Sequence, residues 1–287
     1  MSNYRAELVG VLGDPVDDNP SGVMEEAAFK AAGLNWRYVT YKVLPKDLEN
    51  AIKGIRALGL RGCNLTMPHK VQVIPYLDEL SEAASIIGAV NCIINKDGKL
   101  YGENSDGKGF TMSLKDNGIE LKGKKITMLG AGGVARAIAV ESALAGASEI
   151  TIFNVIKEQG EELEKLINEK TPAKATFHFQ QSTVQVPADT DILINCTPVG
   201  LIPNVTEKPD INYDTITSKM DVADVVFNPI DPLFLKVARE HGAHKTVGGI
   251  GLLVKQGELN FKWWTGQEAP EGVMRALLES EFGKETH

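Results

Sequence analysis

ITMLGAGGVARA, Ile126 to Ala137, decides the fold. A short apolar run leads straight into G-x-G-x-x-A, Gly130 to Ala135, and then into a helix-forming segment, VARAIAVESALAGA. Strand, glycine turn and helix in that order read as the opening of a βαβ unit that binds a dinucleotide, the alternative being glycines that only pack the helix onto the strand. The first glycine permits the tight turn, the second lets backbone approach a pyrophosphate, and the helix N-terminus supplies amides and the positive end of its dipole. The contacts expected from this segment are Gly130, Ala131, Gly132, Gly133 and Val134.

Downstream, EITIFN, KEQGEELEKLINEK, DILINCT and MDVADVVFN continue the alternation, as a doubly wound sheet requires. Upstream the same rhythm appears as ELVGVL then VMEEAAFKAAG, RYVTYKV then PKDLENAIKGIRALG, and GCNLT then HKVQVIPYLDEL, the last read as a helix. CIINKDGKLYG reads as a hairpin. The expected fold is α/β in two domains: an N-terminal α/β substrate domain over 1–108, and a Rossmann-type dinucleotide-binding domain over 109–247. Two helical patterns separated by a Gly and Pro break are expected over 248–287.

The chain has 287 residues, 43% of them apolar and 24% charged, enough for two cores. A formal charge of −8 lacks the basic patch of a nucleic-acid binder. Cys63, Cys92 and Cys196 stand far apart in no disulfide or metal-ligand spacing, so no metal is expected. The first apolar run is only strand-sized, and AIAVESALAGA is interrupted by Glu141 and too short to span a bilayer. These features predict a cytoplasmic protein with a small-molecule substrate, no nucleic-acid or membrane partner, as a monomer or homodimer.

The nucleotide is left open by the residues themselves. An acidic residue after the second strand reads a free ribose 2′-hydroxyl and an arginine reads a 2′-phosphate, but here stand Asn154, Val155 and Ile156. Hydride chemistry also needs a group that exchanges a proton with an alcohol or carbonyl oxygen. NLTMPHK offers Asn64, Thr66 and Lys70, with His69 as a rival acid/base, and GENSDGKG offers Asn104 and Asp106. A helix-surface lysine and a turn-capping aspartate are equally compatible with that spacing alone.

Taken together and in order, NLTMPHK, GAVN (Gly88 to Asn91), GENSD, GAGGVARA, NCTPVG, FNP and LVKQG with WWTG resemble the shikimate dehydrogenase family, over about Gly13 to Gly266. The resemblance implies reversible hydride transfer between NAD(P) and a ring hydroxyl of shikimate, or of quinate in the quinate/shikimate branch. It implies Lys70 and Asp106 as the catalytic pair, with Asn64, Thr66, Asn91 and Gln256 on the substrate's hydroxyl groups. It also places Asn154, Asn195, Thr197 and Gly249 along the nucleotide, and implies that the C-terminal helices over 248–287 pack back on the first domain. A dehydrogenase for another cyclic polyol, or a catalytically silent NAD(P)-binding sensor, are the alternatives; a sensor has no need of both Lys70 and Asp106.

Two departures stand out. The family's phosphate-reading N-R-T is Asn154, Val155, Ile156, so the arginine is absent and NAD is expected over NADP. GDPVDDNPSG, Gly13 to Gly22, aligns with a loop whose two serines hold the substrate carboxylate; Asn19 replaces the first and Ser21 keeps the second. Phe227 replaces a tyrosine, and Asp14, Asp17 and Asp18 add negative charge. A weakened hold on a carboxylate is expected.

Overall fold

The structure is a computed structural model and describes residues 4–283. It divides into two compact units: residues 4–105 with Gln256–Leu278, and Asp106–Lys255 with residues 279–283.

In the first unit, β1 (Glu7–Gly13), α1 (Ser21–Ala31), β2 (Trp36–Lys42), α2 (Leu48–Leu58) and β3 (Gly62–Leu65) form two parallel crossovers. After α3 (His69–Gln72) come β4 (Glu79–Leu80), α4 (Glu82–Ile87) and the hairpin β5 (Cys92–Lys96) and β6 (Lys99–Glu103). The hairpin turns on Asp97 and Gly98, both at positive φ, as a two-residue turn between twisted strands requires. Strand order is β2-β1-β3-β5-β6-β4, parallel around β1 and antiparallel where the hairpin joins β3, so this sheet is mixed. Leu12, Leu48, Ile52, Ile55, Cys63 and Ile93 make its core.

HKVQVIPYLDEL is not the helix that its apolar spacing predicts. Pro75 has no amide to donate and its ring collides with the carbonyl of Val71, so α3 stops after one turn. A 3-10 turn over Ile74–Tyr76 follows, and the segment ends in β4.

The second unit begins in α5 (Ser105–Asp116), whose first residue belongs to the first unit, and continues with β7 (Lys125–Leu129), α6 (Gly133–Leu144), β8 (Glu149–Asn154), α7 (Lys157–Lys170) and β9 (Lys174–Phe179). Then follow β10 (Ile192–Asn195), β11 (Asp221–Asp224), α8 (Leu233–Glu240) and β12 (Lys245–Val247). The sheet is entirely parallel in the order β12-β11-β10-β7-β8-β9. Its central strands β7 and β10 are buried on both faces, and ILIN of β10 is buried at all four residues, whereas the edge strand β9 is largely exposed. The order reverses around β7, which puts a crevice at the carboxyl ends of β7 and β10, where ligands of open parallel sheets bind. Two helices close the chain: α9 (Ile250–Thr265) and α10 (Val273–Gly283).

Candidate active site

In the second unit the glycine turn runs from the end of β7 into the N-terminus of α6. Gly130 sits at φ 105°, a conformation closed to most side-chain-bearing residues, and a Cβ there would lie 3.1 Å from Thr197 Cγ2. At Gly132 and Gly133 nothing lies within 4 Å of where a Cβ would be, so the turn opens on free space beside the helix amides. A cavity of about 450 Å³ adjoins it, lined in part by Gly130, Ala131, Gly132, Asn154, Val155 and Thr197. A dinucleotide fits this place: bare backbone for phosphate, a helix N-terminus behind it, and a cleft continuing past the end of β8.

Asn154 is buried, and its Nδ2 donates to Ile156 O at 2.8 Å, which shapes the turn after β8 rather than aiming the amide outward. Val155 and Ile156 are exposed at 65% and 46% and bring neither charge nor donor to that end of the cavity. Thr197 is ordered from below: Asn195 Oδ1 accepts from Thr197 N at 3.0 Å and from Thr197 Oγ1 at 2.6 Å. Asn195 itself is fully buried and is not among the residues lining that cavity, so it shapes the loop from within. Its Nδ2 donates to Asp224 Oδ1 at 2.9 Å. Burial pushes the Asp224 carboxyl up to about 7 against the pull of its hydrogen bonds. Gly249 is required by close approach, since a Cβ there would lie 2.3 Å from Val225 O.

Asp106 is buried in the first turn of α5. Phe227 packs on Phe282 with ring centroids 5.4 Å apart, an apolar contact that a hydroxyl would not improve.

In the first unit the candidate polyol-binding residues form one network. Asn64, on β3, donates from Nδ2 to Asn91 O at 3.1 Å and accepts at Oδ1 from the hydroxyl of Tyr38, 2.8 Å away on β2. Asn91 Oδ1 accepts from Ser105 N at 2.7 Å, and its Nδ2 faces Ser105 Oγ at 3.0 Å and Gln256 Oε1 at 3.4 Å. Asn64, Asn91 and Gln256, 192 residues apart from first to last, are thereby joined. Thr66 is held by its amide to Leu12 O at 3.0 Å and caps the turn into α3 by accepting from His69 N at 2.9 Å. Lys70 lies in the single turn of α3, half-buried, and its carbonyl accepts from Val90 N at 2.8 Å.

His69, the rival acid/base, is fully buried, and its Nε2 donates to Val43 O at 2.7 Å; it braces the end of β2. Tyr38 is the residue that the sequence reading missed. Apolar alternation marks it only as a strand residue, and its partner lies 26 positions away.

The acidic loop after β1 resolves into separate roles. Asp14 pairs with Lys42 at 3.6 Å, while Asp17 and Asp18 are exposed. Asn19 Oδ1 accepts from Ser21 N at 3.0 Å, so the side chain braces the start of α1 and its amide hydrogens remain for a ligand. Between Gly13 and Gly22 there is no cation.

Free Cys63, Cys92 and Cys196 are buried, and among the described residues no cluster of His, Cys, Asp and Glu has the arrangement of a metal site. No helix among them is long and apolar enough to cross a membrane.

Comparison with known proteins agrees with this geometry. Residues 11–93 match the model of the shikimate dehydrogenase substrate binding domain, and residues 249–279 that of the shikimate 5′-dehydrogenase C-terminal domain. A shikimate dehydrogenase (NADP(+)) of Methanocaldococcus jannaschii is 42% identical over 99% of this chain and 100% of its own. The solved ligand-free 5-ketofructose reductase of Gluconobacter sp. strain CHM43 is 43% identical, with a TM-score of 0.94 over 98% of this chain and 100% of that one. Shikimate 5-dehydrogenase of Listeria monocytogenes, solved with shikimate and NAD, is 36% identical with a TM-score of 0.92 over 97% and 99%. With near-complete coverage at such identities, the chain belongs to the shikimate dehydrogenase family and is an oxidoreductase.

Proposed function

We propose that the protein interconverts shikimate and 3-dehydroshikimate with NADP(H), quinate being the neighbouring substrate to test. The observation that carries this reading is full-length similarity to shikimate dehydrogenases in a chain that keeps both Lys70 and Asp106. A catalytically silent sensor is disfavoured on the same ground.

In the reading, the bound nucleotide supplies or takes up the hydride. Lys70 carries the proton: it delivers one to the ketone oxygen during reduction and withdraws it from the hydroxyl during oxidation, so that ketone, hydride and proton balance to alcohol. Asp106 is its partner by the family resemblance. Asn64, Thr66, Asn91 and Gln256 hold ring hydroxyls, and Asn19 and Ser21 face the remaining substituent. Gly130 to Val134, Asn154, Thr197 and Gly249 hold the nucleotide.

The expectation of NAD over NADP is not carried forward. It rested on a missing arginine, whereas relatives of this chain bear NADP in their names. The cavity has no arginine at Val155 or Ile156, and the acidic residue in its lining is Asp210, not a residue at the end of β8 where a free ribose 2′-hydroxyl is read. We take NADP(H) as the working nucleotide, with NAD accepted as well.

A second reading is favoured by the loop at Gly13 to Gly22. Three carboxylates and no cation suit a neutral polyhydroxy ketone better than an acid. The 43% identity to a 5-ketofructose reductase points the same way. Initial rates of NADPH oxidation with 3-dehydroshikimate and with 5-ketofructose separate the two. A kcat/KM at least tenfold higher for the acid supports the first reading, and the reverse ratio replaces it with the second.

A further inference from the structure

Asn64 is the centre of the polyol network, and three facts fix how its amide is turned. Asn91 O, 3.1 Å away, can only accept, so Nδ2 must face it. Oδ1 can only accept, so the hydroxyl 2.8 Å from it, on Tyr38, must be the donor. Asn64 and Tyr38 are both buried, at 6% and 8% exposure, so water does not readily replace either bond. One Nδ2 hydrogen is thus left for a ligand, and a carboxamide turned the other way would set two acceptors, its Oδ1 and Asn91 O, face to face.

Tyr38 is itself rigidly placed. It stands opposite Val9 in the ladder of β1 and β2, while Asn64 stands opposite Val11 on the other side of the same strand. Its ring lies against Trp264, with centroids 6.2 Å apart, and Trp264 Nε1 donates to Ile93 O at 3.0 Å. A Cβ on Gly22 would touch the ring at 3.4 Å. The Tyr38 hydrogen is thereby committed to Asn64.

We propose that Tyr38 is a positioning residue for substrate, which locks Asn64 as a hydrogen-bond donor toward a ligand hydroxyl. The inference rests on the reading of Asn64 as a substrate contact, and it holds for an acidic or a neutral polyol alike.

The test compares Tyr38→Phe, Asn64→Ala and the double variant, with shikimate and NADP⁺. Tyr38→Phe keeps the ring and removes only the hydroxyl. The expected result is a three- to tenfold rise in KM with kcat within twofold and unchanged NADPH affinity, and a melting temperature lowered by a few degrees for the buried acceptor left without a donor. In the Asn64→Ala background the same change has no further effect on KM. An unchanged KM in Tyr38→Phe, or a full effect that persists without Asn64, overturns the proposal. An unchanged KM in Asn64→Ala instead removes Asn64 from the substrate site and with it the reading beneath the proposal. Independently of turnover, the side-chain amide resonances of Asn64 are expected to shift in Tyr38→Phe; identical resonances overturn the proposal.

Discussion

Asp224 and Asn195 meet at the carboxyl ends of adjacent strands: Asn195 Nδ2 donates to Asp224 Oδ1 at 2.9 Å, while Asp224 Oδ2 is buried without a partner. Val226 N also donates to Oδ1, at 3.0 Å, so one carboxylate oxygen organises two loops and the other bears the cost of burial. Through Asn195 Oδ1, which accepts twice from Thr197, the pair sets the wall of the nucleotide cavity.

A pH dependence of stability follows. Burial raises the Asp224 carboxyl from roughly 3.9 in an unfolded chain to about 7 in the fold. With the folded value the higher one, the contribution is fully present below about pH 4 and is lost as pH rises through 7, a loss on the order of 4 kcal/mol. Asp224→Asn keeps an Oδ1 acceptor and cannot ionise. Its melting temperature is expected to fall less between pH 5 and pH 8 than that of the parent, and an equal fall in both would contradict the assignment.

Gly130→Ala introduces a side chain at φ 105° and presses it on Thr197 Cγ2 at 3.1 Å. Left-handed strain of about 1–2 kcal/mol plus that contact should displace the turn. NADPH affinity measured by fluorescence titration is expected to drop at least tenfold, while Lys70 and the first unit are untouched. Undiminished binding would mean that the turn does not hold the nucleotide.

Val155→Arg tests the nucleotide end of the cavity. Val155 is exposed and lines the cavity, so a guanidinium there gains a charge-assisted contact to a 2′-phosphate of about 1.5–3 kcal/mol without disturbing the core. The ratio of kcat/KM for NADPH over NADH should rise by one to two decades, chiefly through KM. A ratio that does not move places the 2′-position elsewhere.

Glu25 is buried in α1, and neither of its carboxylate oxygens has a hydrogen-bond partner. Desolvation holds its carboxyl well above the usual range, so this contribution to stability is present below about pH 4 and fades as pH rises. Glu25→Met fills a similar volume with no polar atom. It is expected to raise the melting temperature, more at pH 8 than at pH 5, and a lower melting temperature at pH 8 would reveal an interaction that burial alone does not supply.

How much the sequence disclosed depends on the range of the interaction. ITMLGAGG is legible because its constraints are local: a turn that only glycine makes, between a strand and a helix that follow at once. The hairpin at Asp97 and Gly98 is legible for the same reason. The helix expected over His69 to Leu80 fails at Pro75, where apolar spacing outweighed a missing amide. Tyr38 was beyond reach: its function is a hydrogen bond to Asn64 across an intervening strand, and alternation says only that it faces inward. Asn195 was legible as a residue of the nucleotide loop, but its buried place beneath Thr197 depends on Asp224, 29 positions on.

The most direct measurement is the initial rate of NADP⁺ reduction by shikimate, with the purified protein and with Lys70→Met. The account predicts steady turnover by the parent, a loss of about 10²–10⁴ in kcat for Lys70→Met, and unchanged NADPH affinity in both. A variant within tenfold of the parent would contradict Lys70 as the proton carrier. A parent that binds NADPH yet leaves shikimate untouched would contradict the shikimate reading itself.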